Sequence, residues 1–280
     1  MRYNITWIYT FHWGNYRMAY LNQFVQKCHH NLLQDDIPEC DNARAYLAKR
    51  NVKDHTISLH TLGYCKSDEK IAPEVEYYGV DRKKDSHHRG FGYFMRERII
   101  VPIYSEFNRL IGFATRKPSF QDGNTWWNLA RPFRKNNHLF MLDKARKEIF
   151  KSNKAYIVEG YMDAMILYQE GLKEVVGLMG TILSPRKIGL IARYCDSICL
   201  CMDQDKNQAG QKAKEKSLCA LREFDFYDSV YTVDSLPVGE DPDEYITRNG
   251  KDEFCKLERR IDPKEINSVY KRFLANNKKW

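Results

Sequence analysis

Three acidic side chains follow two short apolar runs, and their placement carries the chemistry of this chain. Tyr156-Ile157-Val158 leads directly into Glu159, and Cys199-Leu200-Cys201-Met202 leads into Asp203, with Asp205 two residues further on. A continuous apolar run of this length reads as a strand buried on both faces. An acid at the carboxyl end of such a strand sits at the rim of the sheet, where open α/β folds bind their ligands. If the two strands are neighbours, three carboxylates converge, and like charges that close require a cation. A set made only of oxygen donors suits Mg²⁺ or Mn²⁺. The plainer reading of the same acids is a set of helix N-caps and solvated loop ends.

The elements that would position these acids follow from the pattern around them. From Lys154 onward, strands read near 154–158, 174–179, 197–202 and 229–233, and helices near 161–170, 185–194, 208–222 and 243–259. Such alternation implies a parallel sheet with right-handed crossovers. Upstream, Tyr20, Leu21, Phe24, Val25, Cys28 and Leu32 recur at helical spacing. Asp41 reads as the N-cap of a second helix that reaches Arg50. Arg96–Tyr104 and Leu110–Arg116 read as strands of a hairpin turning through residues 105–109. Residues 1–16 have no clear period and read as a short extension. Residues 66–92 are polar and read as a loop, with a basic run Arg82-Lys83-Lys84 and the pair His87-His88. The expected organisation is an α+β N-terminal subdomain over 1–153, an α/β domain with a parallel four-stranded sheet over 154–260, and a helical tail over 261–280.

Composition limits the function classes. With 280 residues, 43% of them hydrophobic, and 18 Tyr, 14 Phe and 5 Trp, the chain can build two modest cores and is not a disordered segment. No run approaches the ~20 apolar residues of a membrane span, and Trp7–Tyr16 lacks the apolar centre of a secretory signal. A cytoplasmic location is expected. None of the eight cysteines forms a Cys-x-x-Cys pair, so no zinc is expected in this chain. Cys199 and Cys201 fall in a central strand and read as core thiols. Charge is uneven: residues 1–153 carry 25 Lys and Arg against 16 Asp and Glu, a net +9, whereas residues 154–280 carry 20 against 21, a net −1. A basic half attracts phosphate backbones and an acidic cluster holds metal, a pairing that suits an enzyme acting on nucleic acid.

Four blocks over residues 159–243 carry a family resemblance: Glu159-Gly160-Tyr161-Met162-Asp163, Gly180-Thr181, Asp203-Gln204-Asp205 and Gly239-Glu240-Asp241-Pro242-Asp243. In order and spacing they resemble the Toprim domain of bacterial-type (DnaG-type) replicative primases. Further blocks are similar to the primase catalytic core. They are Ala45-Tyr46-Leu47-Ala48-Lys49-Arg50 with Leu62-Gly63-Tyr64, Arg98-x-x-x-Pro102-Ile103 with Ile111-Gly112-Phe113-x-x-Arg116, and Phe133-x-Lys135-x-x-x-Leu139-Phe140. The resemblance spans roughly residues 20–260.

The resemblance implies a DNA primase, a DNA-directed RNA polymerase that makes short RNA primers on single-stranded DNA from ribonucleoside triphosphates. By that resemblance Glu159, Asp203 and Asp205 are catalytic. Asp203 and Asp205 hold Mg²⁺, with Asp163, Asp241 and Asp243 as further ligands, and Glu159 serves as general base or metal ligand. Arg50, Arg98, Arg116, Lys135, Gly180 and Thr181 are implied to contact nucleotide or template, where an arginine fork suits phosphate. Trp126-Trp127-Asn128 stands where the family usually carries a lysine before an aromatic residue and asparagine. Lys206-Asn207-Gln208 lengthens the loop between Asp205 and Ala209-Gly210. The family's zinc-binding and helicase-binding domains are not recognisable in these 280 residues. A separate zinc-binding primase subunit and a replicative helicase are therefore expected partners, in a compact primase of the kind that suits a bacteriophage or plasmid in a bacterial host. A Toprim nuclease and a non-catalytic single-strand-binding replication module are the rival readings. All the family's acids are present, which favours an active enzyme.

Overall fold

A computed structural model describes residues 5–34, 37–73, 75, 95–119, 126–128, 133–203, 209–224, 229–233, 236–237 and 239–276. The chain divides into two compact units, residues 1–103 with 109–134 and residues 104–108 with 135–280.

The first unit packs α1 (Ile5–Leu33), α2 (Asp41–Lys49) and α3 (Asp54–His60) with a sheet of β1 (Gly63–Cys65), β2 (Arg98–Tyr104), β3 (Leu110–Arg116) and β4 (Trp126–Asn128), in that spatial order. The pairs β1/β2 and β3/β4 are antiparallel. Leu21, Phe24, Val25, Cys28 and Leu32 of α1 are buried, and the Phe24 ring lies 5.4 Å from that of Phe113 on β3. The helical spacing and the 98–116 hairpin are therefore as expected. Two boundaries differ. The helix begins at Ile5, so most of the supposed extension is helical. Once nucleated, each further residue adds a backbone hydrogen bond, so a helix can outrun its apolar stripe. Asp41 is the first residue of α2, with Cys40 as N-cap at the end of a 3₁₀ turn over Pro38–Cys40. Its charge still faces the positive end of the helix. The run Arg82-Lys83-Lys84 and His87-His88 lie outside the described residues.

The second unit runs α4 (Leu142–Ser152), β5 (Lys154–Val158), α5 (Tyr161–Gln169), β6 (Val175–Gly177), α6 (Pro185–Ile191), β7 (Ser197–Leu200), α7 (Ala209–Glu223), β8 (Val230–Val233), α8 (Pro242–Asn249), α9 (Lys251–Lys256), β9 (Glu258–Arg260) and α10 (Pro263–Asn276). The sheet order is β6-β5-β7-β8-β9. The first four strands are parallel, as expected. A fifth, β9, pairs antiparallel with β8 and corrects the four-stranded expectation. The helix expected over 243–259 is interrupted at Gly250 (φ +83°) and ends at Lys256. The charged triplet after it then forms an edge. Glu258 accepts from Lys154 Nζ at 2.7 Å and from the Tyr156 hydroxyl, while Arg259 and Arg260 face outward. Charged outward residues keep an edge strand from recruiting further strands.

Because both faces of β5 and β7 are covered, their residues are apolar without alternation. Ile157, Val176, Leu200, Leu221 and Val230 share one core, to which α4 adds Ala145 and Ile149 and α10 adds Ile266 and Val269. Helices on either side of the 154–260 span thus belong to the same packed body. Cys199 and Cys201 are fully buried core thiols.

Candidate active site

The sheet order places a topological switch at one point. From β5 the chain passes through α5 to β6 on one side, then crosses to β7 on the other side of β5. In open α/β sheets, ligands bind in the crevice outside the carboxyl ends of the strands where the order reverses. Here those ends belong to β5 and β7, which are hydrogen-bonded neighbours with Ile157 opposite Leu200. The Cys201 amide donates to Ile157 O at 2.9 Å and extends the pairing past the strand. Glu159 follows β5 directly and is 9% exposed, and half-buried Asp203 follows β7. The condition on which carboxylate convergence depended, adjacency of the two strands, is met. At the start of α7, a β-carbon on Gly210 would fall 1.9 Å from Asp203 O. Only glycine lets that helix begin against the Asp203 backbone. Asp205 lies outside the described residues.

Gly180 and Thr181 lie in the turn after β6. The Leu178 amide donates to Val158 O at 2.8 Å, and the Gly180 amide donates to Glu159 O at 3.1 Å. These bonds lay the turn against the end of β5. The turn needs two left-handed residues, Met179 (φ +60°) and Gly180 (φ +141°), and the second conformation favours glycine. Lys135, in a 3₁₀ turn over Lys135–Asn137, places Nζ 3.4 Å from where a Gly180 β-carbon would stand. Lys135, Gly180 and Glu159 are thereby gathered.

Sequence reasoning missed Lys187. This residue of α6 is 1% exposed, and its Nζ donates to Leu178 O at 2.6 Å and Ile182 O at 3.0 Å. Burial, reinforced by the positive charge of Lys135, pushes its pKa down to about 7. One signal was available: Lys187 stands four residues before Ile191 and beside Ile188, on the apolar face of the helix. His138 belongs to the same basic cluster; its burial, with Arg186 and Lys187 nearby, lowers its pKa.

The other predicted acids occupy helix starts. Asp163, 8% exposed, accepts the Gly160 amide at 3.1 Å across the first turn of α5. Asp241 is the N-cap of α8, and Asp243, 3% exposed, lies in its first turn. Carboxylates favour such positions for electrostatic reasons alone. Helices α5 and α8 pack on each other. Glu240 of the same turn is paired with Arg248 at 2.7 Å.

In the first unit, Arg98 and Arg116 are brought together. Arg98 Nε donates to Thr115 Oγ1 at 2.8 Å, and burial together with the Arg116 charge lowers its pKa. The Arg116 guanidinium lies 5.2 Å from the centroid of Tyr46 on α2 and 5.2 Å from that of Trp126, its cross-strand partner. Its Nε also donates to the Tyr46 hydroxyl. Arg50 caps the carboxyl end of α2, one helical turn after Tyr46 and on the same face. Trp126 is half-buried; the Trp127 side chain lies outside the described residues.

The acidic positions offer carboxylate oxygens alone, which fits a hard divalent cation in kind. Among the described residues, no three His, Cys, Asp or Glu side chains close on one point. Asp205 is not among those residues.

Residues 28–146 match the N-terminal domain of the DNA primase catalytic core, and residues 156–246 match the Toprim-like family. The two matches fall on the α+β unit and on the mostly parallel sheet with acids at its switch point, which makes this a Toprim-domain protein. The chain belongs to the DnaG-type primase family and corresponds to its catalytic core. It is 30% identical over 239 residues to the DNA primase of Rickettsia typhi, covering 79% of this chain and 39% of that protein. It superposes on the Aquifex aeolicus primase (zinc-binding and RNA polymerase domains) with a TM-score of 0.71 and 26% identity, over 90% of this chain and 60% of that one. A DnaG primase catalytic domain bound to ssDNA shares the fold, with a TM-score of 0.71 and 24% identity over 88% of this chain and 81% of that one. The chain thus spans about two fifths of the length of the curated relatives it matches. The Toprim primase family is metal-dependent. Among the described residues, no helix is long and apolar enough to cross a membrane.

Proposed function

We propose that the chain is a primase catalytic core that makes short RNA primers on single-stranded DNA. The observation that carries this reading is the delivery of Glu159 and Asp203 to adjacent strand ends at the switch point of the sheet. The reaction joins the 3′-oxygen of one nucleotide to the α-phosphorus of the next, breaks the bond from that phosphorus to the leaving oxygen, and releases pyrophosphate. Asp203 and Asp205 would hold Mg²⁺ or Mn²⁺, and Asp163, Asp241 and Asp243 are the further ligands that the family resemblance implies. A cation held there would supply neutralisation of the charge that builds on the transferring oxygens. Glu159, fixed by the end of β5, receives the proton of the attacking hydroxyl or completes the ligand set. The turn carrying Gly180 and Thr181, with Lys135 beside it, takes the incoming ribonucleoside triphosphate. Arg50, Arg98 and Arg116 hold phosphates of the template, a task that suits a planar bidentate fork.

Single-stranded DNA and ribonucleoside triphosphates are thus the substrates, the bacterial cytoplasm the site of action, and a replicative helicase the partner. The test is primer synthesis on single-stranded DNA with labelled ribonucleotides and Mg²⁺ or Mn²⁺. Template-dependent RNA from the wild type, and none from Asp203→Asn, supports the reading. Template cleavage without RNA moves the assignment to a nuclease, and tight DNA binding without either product moves it to a binding module.

A further inference from the structure

The turn beside Glu159 is held by something its own residues do not supply. The Leu178 peptide is bonded at both ends: its amide donates to Val158 O at 2.8 Å, and its carbonyl accepts from Lys187 Nζ at 2.6 Å. The same nitrogen reaches Ile182 O at 3.0 Å, so one group bridges the carbonyls on either side of Met179, Gly180 and Thr181. Between those anchors the backbone passes through two left-handed residues, a conformation that persists only where its surroundings impose it. Lys187 is 1% exposed and sits on α6, whose N-cap Ser184 also donates to Asn136 O and so joins the helix to the turn carrying Lys135. A buried amine serves no surface purpose. Its donors go to backbone carbonyls that a short irregular turn leaves without strand partners.

We propose that Lys187 is a positioning residue for nucleotide binding, whose side-chain amine donates to both carbonyls and clamps the Leu178–Ile182 turn so that Gly180 and Thr181 are presented beside Glu159. This rests on the reading that the turn takes the incoming nucleotide. Lys187 touches no reacting atom. Its effect passes through the Leu178 carbonyl to the turn, and the turn is tied by Leu178 and Gly180 to the end of β5.

The test uses the full chain with Lys187→Met, which keeps length and apolar bulk without a donor, and Lys187→Gln, which keeps a shorter donor. Amide hydrogen exchange of the 178–183 segment is measured at a single pH beside primer synthesis across ribonucleotide concentrations. The expected result is exchange of the Leu178 and Gly180 amides faster by about tenfold or more in Lys187→Met. The ribonucleotide KM should rise by a similar factor with a smaller change in kcat, and Lys187→Gln should lie between. Distant strands such as β8 exchange at the wild-type rate, which separates a local release from general unfolding. Unchanged exchange in both variants, or an unchanged KM with faster exchange, overturns the proposal. A wild type that makes no primer overturns the primase reading instead, while the exchange arm still decides whether Lys187 holds the turn.

Discussion

At the scale of single residues, the acids of the site are buried where burial is costly. Glu159 is 9% exposed and Asp243 3% exposed, and charged groups avoid such places unless something offsets the loss of water. Glu159→Gln is expected to lower primer synthesis by about a hundredfold or more while leaving the melting temperature level or higher, because the amide removes a buried charge. A parallel loss of stability and activity would speak for a structural role instead. The Arg116 guanidinium lies 5.2 Å from the centroids of both the Tyr46 and the Trp126 rings, a contact that a lysine ammonium does not reproduce. Arg116→Lys is expected to weaken single-stranded DNA binding by about tenfold, measured by fluorescence anisotropy at fixed salt. Lys187 adds a pH signature. Burial holds it near 7 in the folded chain, against 10.5 as its ordinary value. The unfolded chain therefore keeps a proton that the folded chain releases in between. Its contribution to stability is flat below about pH 7 and grows as pH rises from there toward about 10, by at most about 1.4 kcal/mol per pH unit. Urea melts of the wild type and Lys187→Met across that range should show the wild type gaining relative to the variant; a constant difference would refute the buried amine.

At the scale of elements, what was legible in the sequence was whatever a period or an unbroken apolar run could mark. β5 and β7 are short apolar runs closed by acids, so their burial and the position of Glu159 and Asp203 could be read directly. Their adjacency could only be stated as a condition, because strand order is a tertiary fact that no local pattern encodes. β9 was not legible: Glu258-Arg259-Arg260 reads as a charged helix end, and what makes it a strand is pairing to β8 and the contacts of Glu258 with Lys154 and Tyr156. Lys187 was overlooked because a lysine among apolar helix positions reads as solvated unless the carbonyls above it are known. The Gly210 contact belongs here too. Gly210→Ala forces a β-carbon against Asp203 O, so it should cost about 1–3 kcal/mol of stability and also shift Asp203, lowering activity more than the loss of folded protein accounts for. Thermal melts paired with activity per folded molecule would check both parts.

At the scale of the whole molecule, charge is unevenly divided. Residues 1–153 carry a net +9 and residues 154–280 a net −1. A basic unit that binds phosphate backbones releases counterions, so affinity for single-stranded DNA should fall with salt, each neutralised phosphate adding about 0.7 to the negative slope of log K against log salt. Arg98→Ala and Arg116→Ala should each flatten that slope, whereas Asp203→Asn should leave it unchanged. The measurement that tests the central claim most directly is primer synthesis by the wild type beside Glu159→Gln and Asp203→Asn, with circular dichroism to confirm that all three are folded. Short template-dependent RNA from the wild type and none from either variant is the predicted result. RNA at wild-type levels from a folded Asp203→Asn protein would contradict it, because the carboxylates at the ends of β5 and β7 would then not be where the chemistry happens.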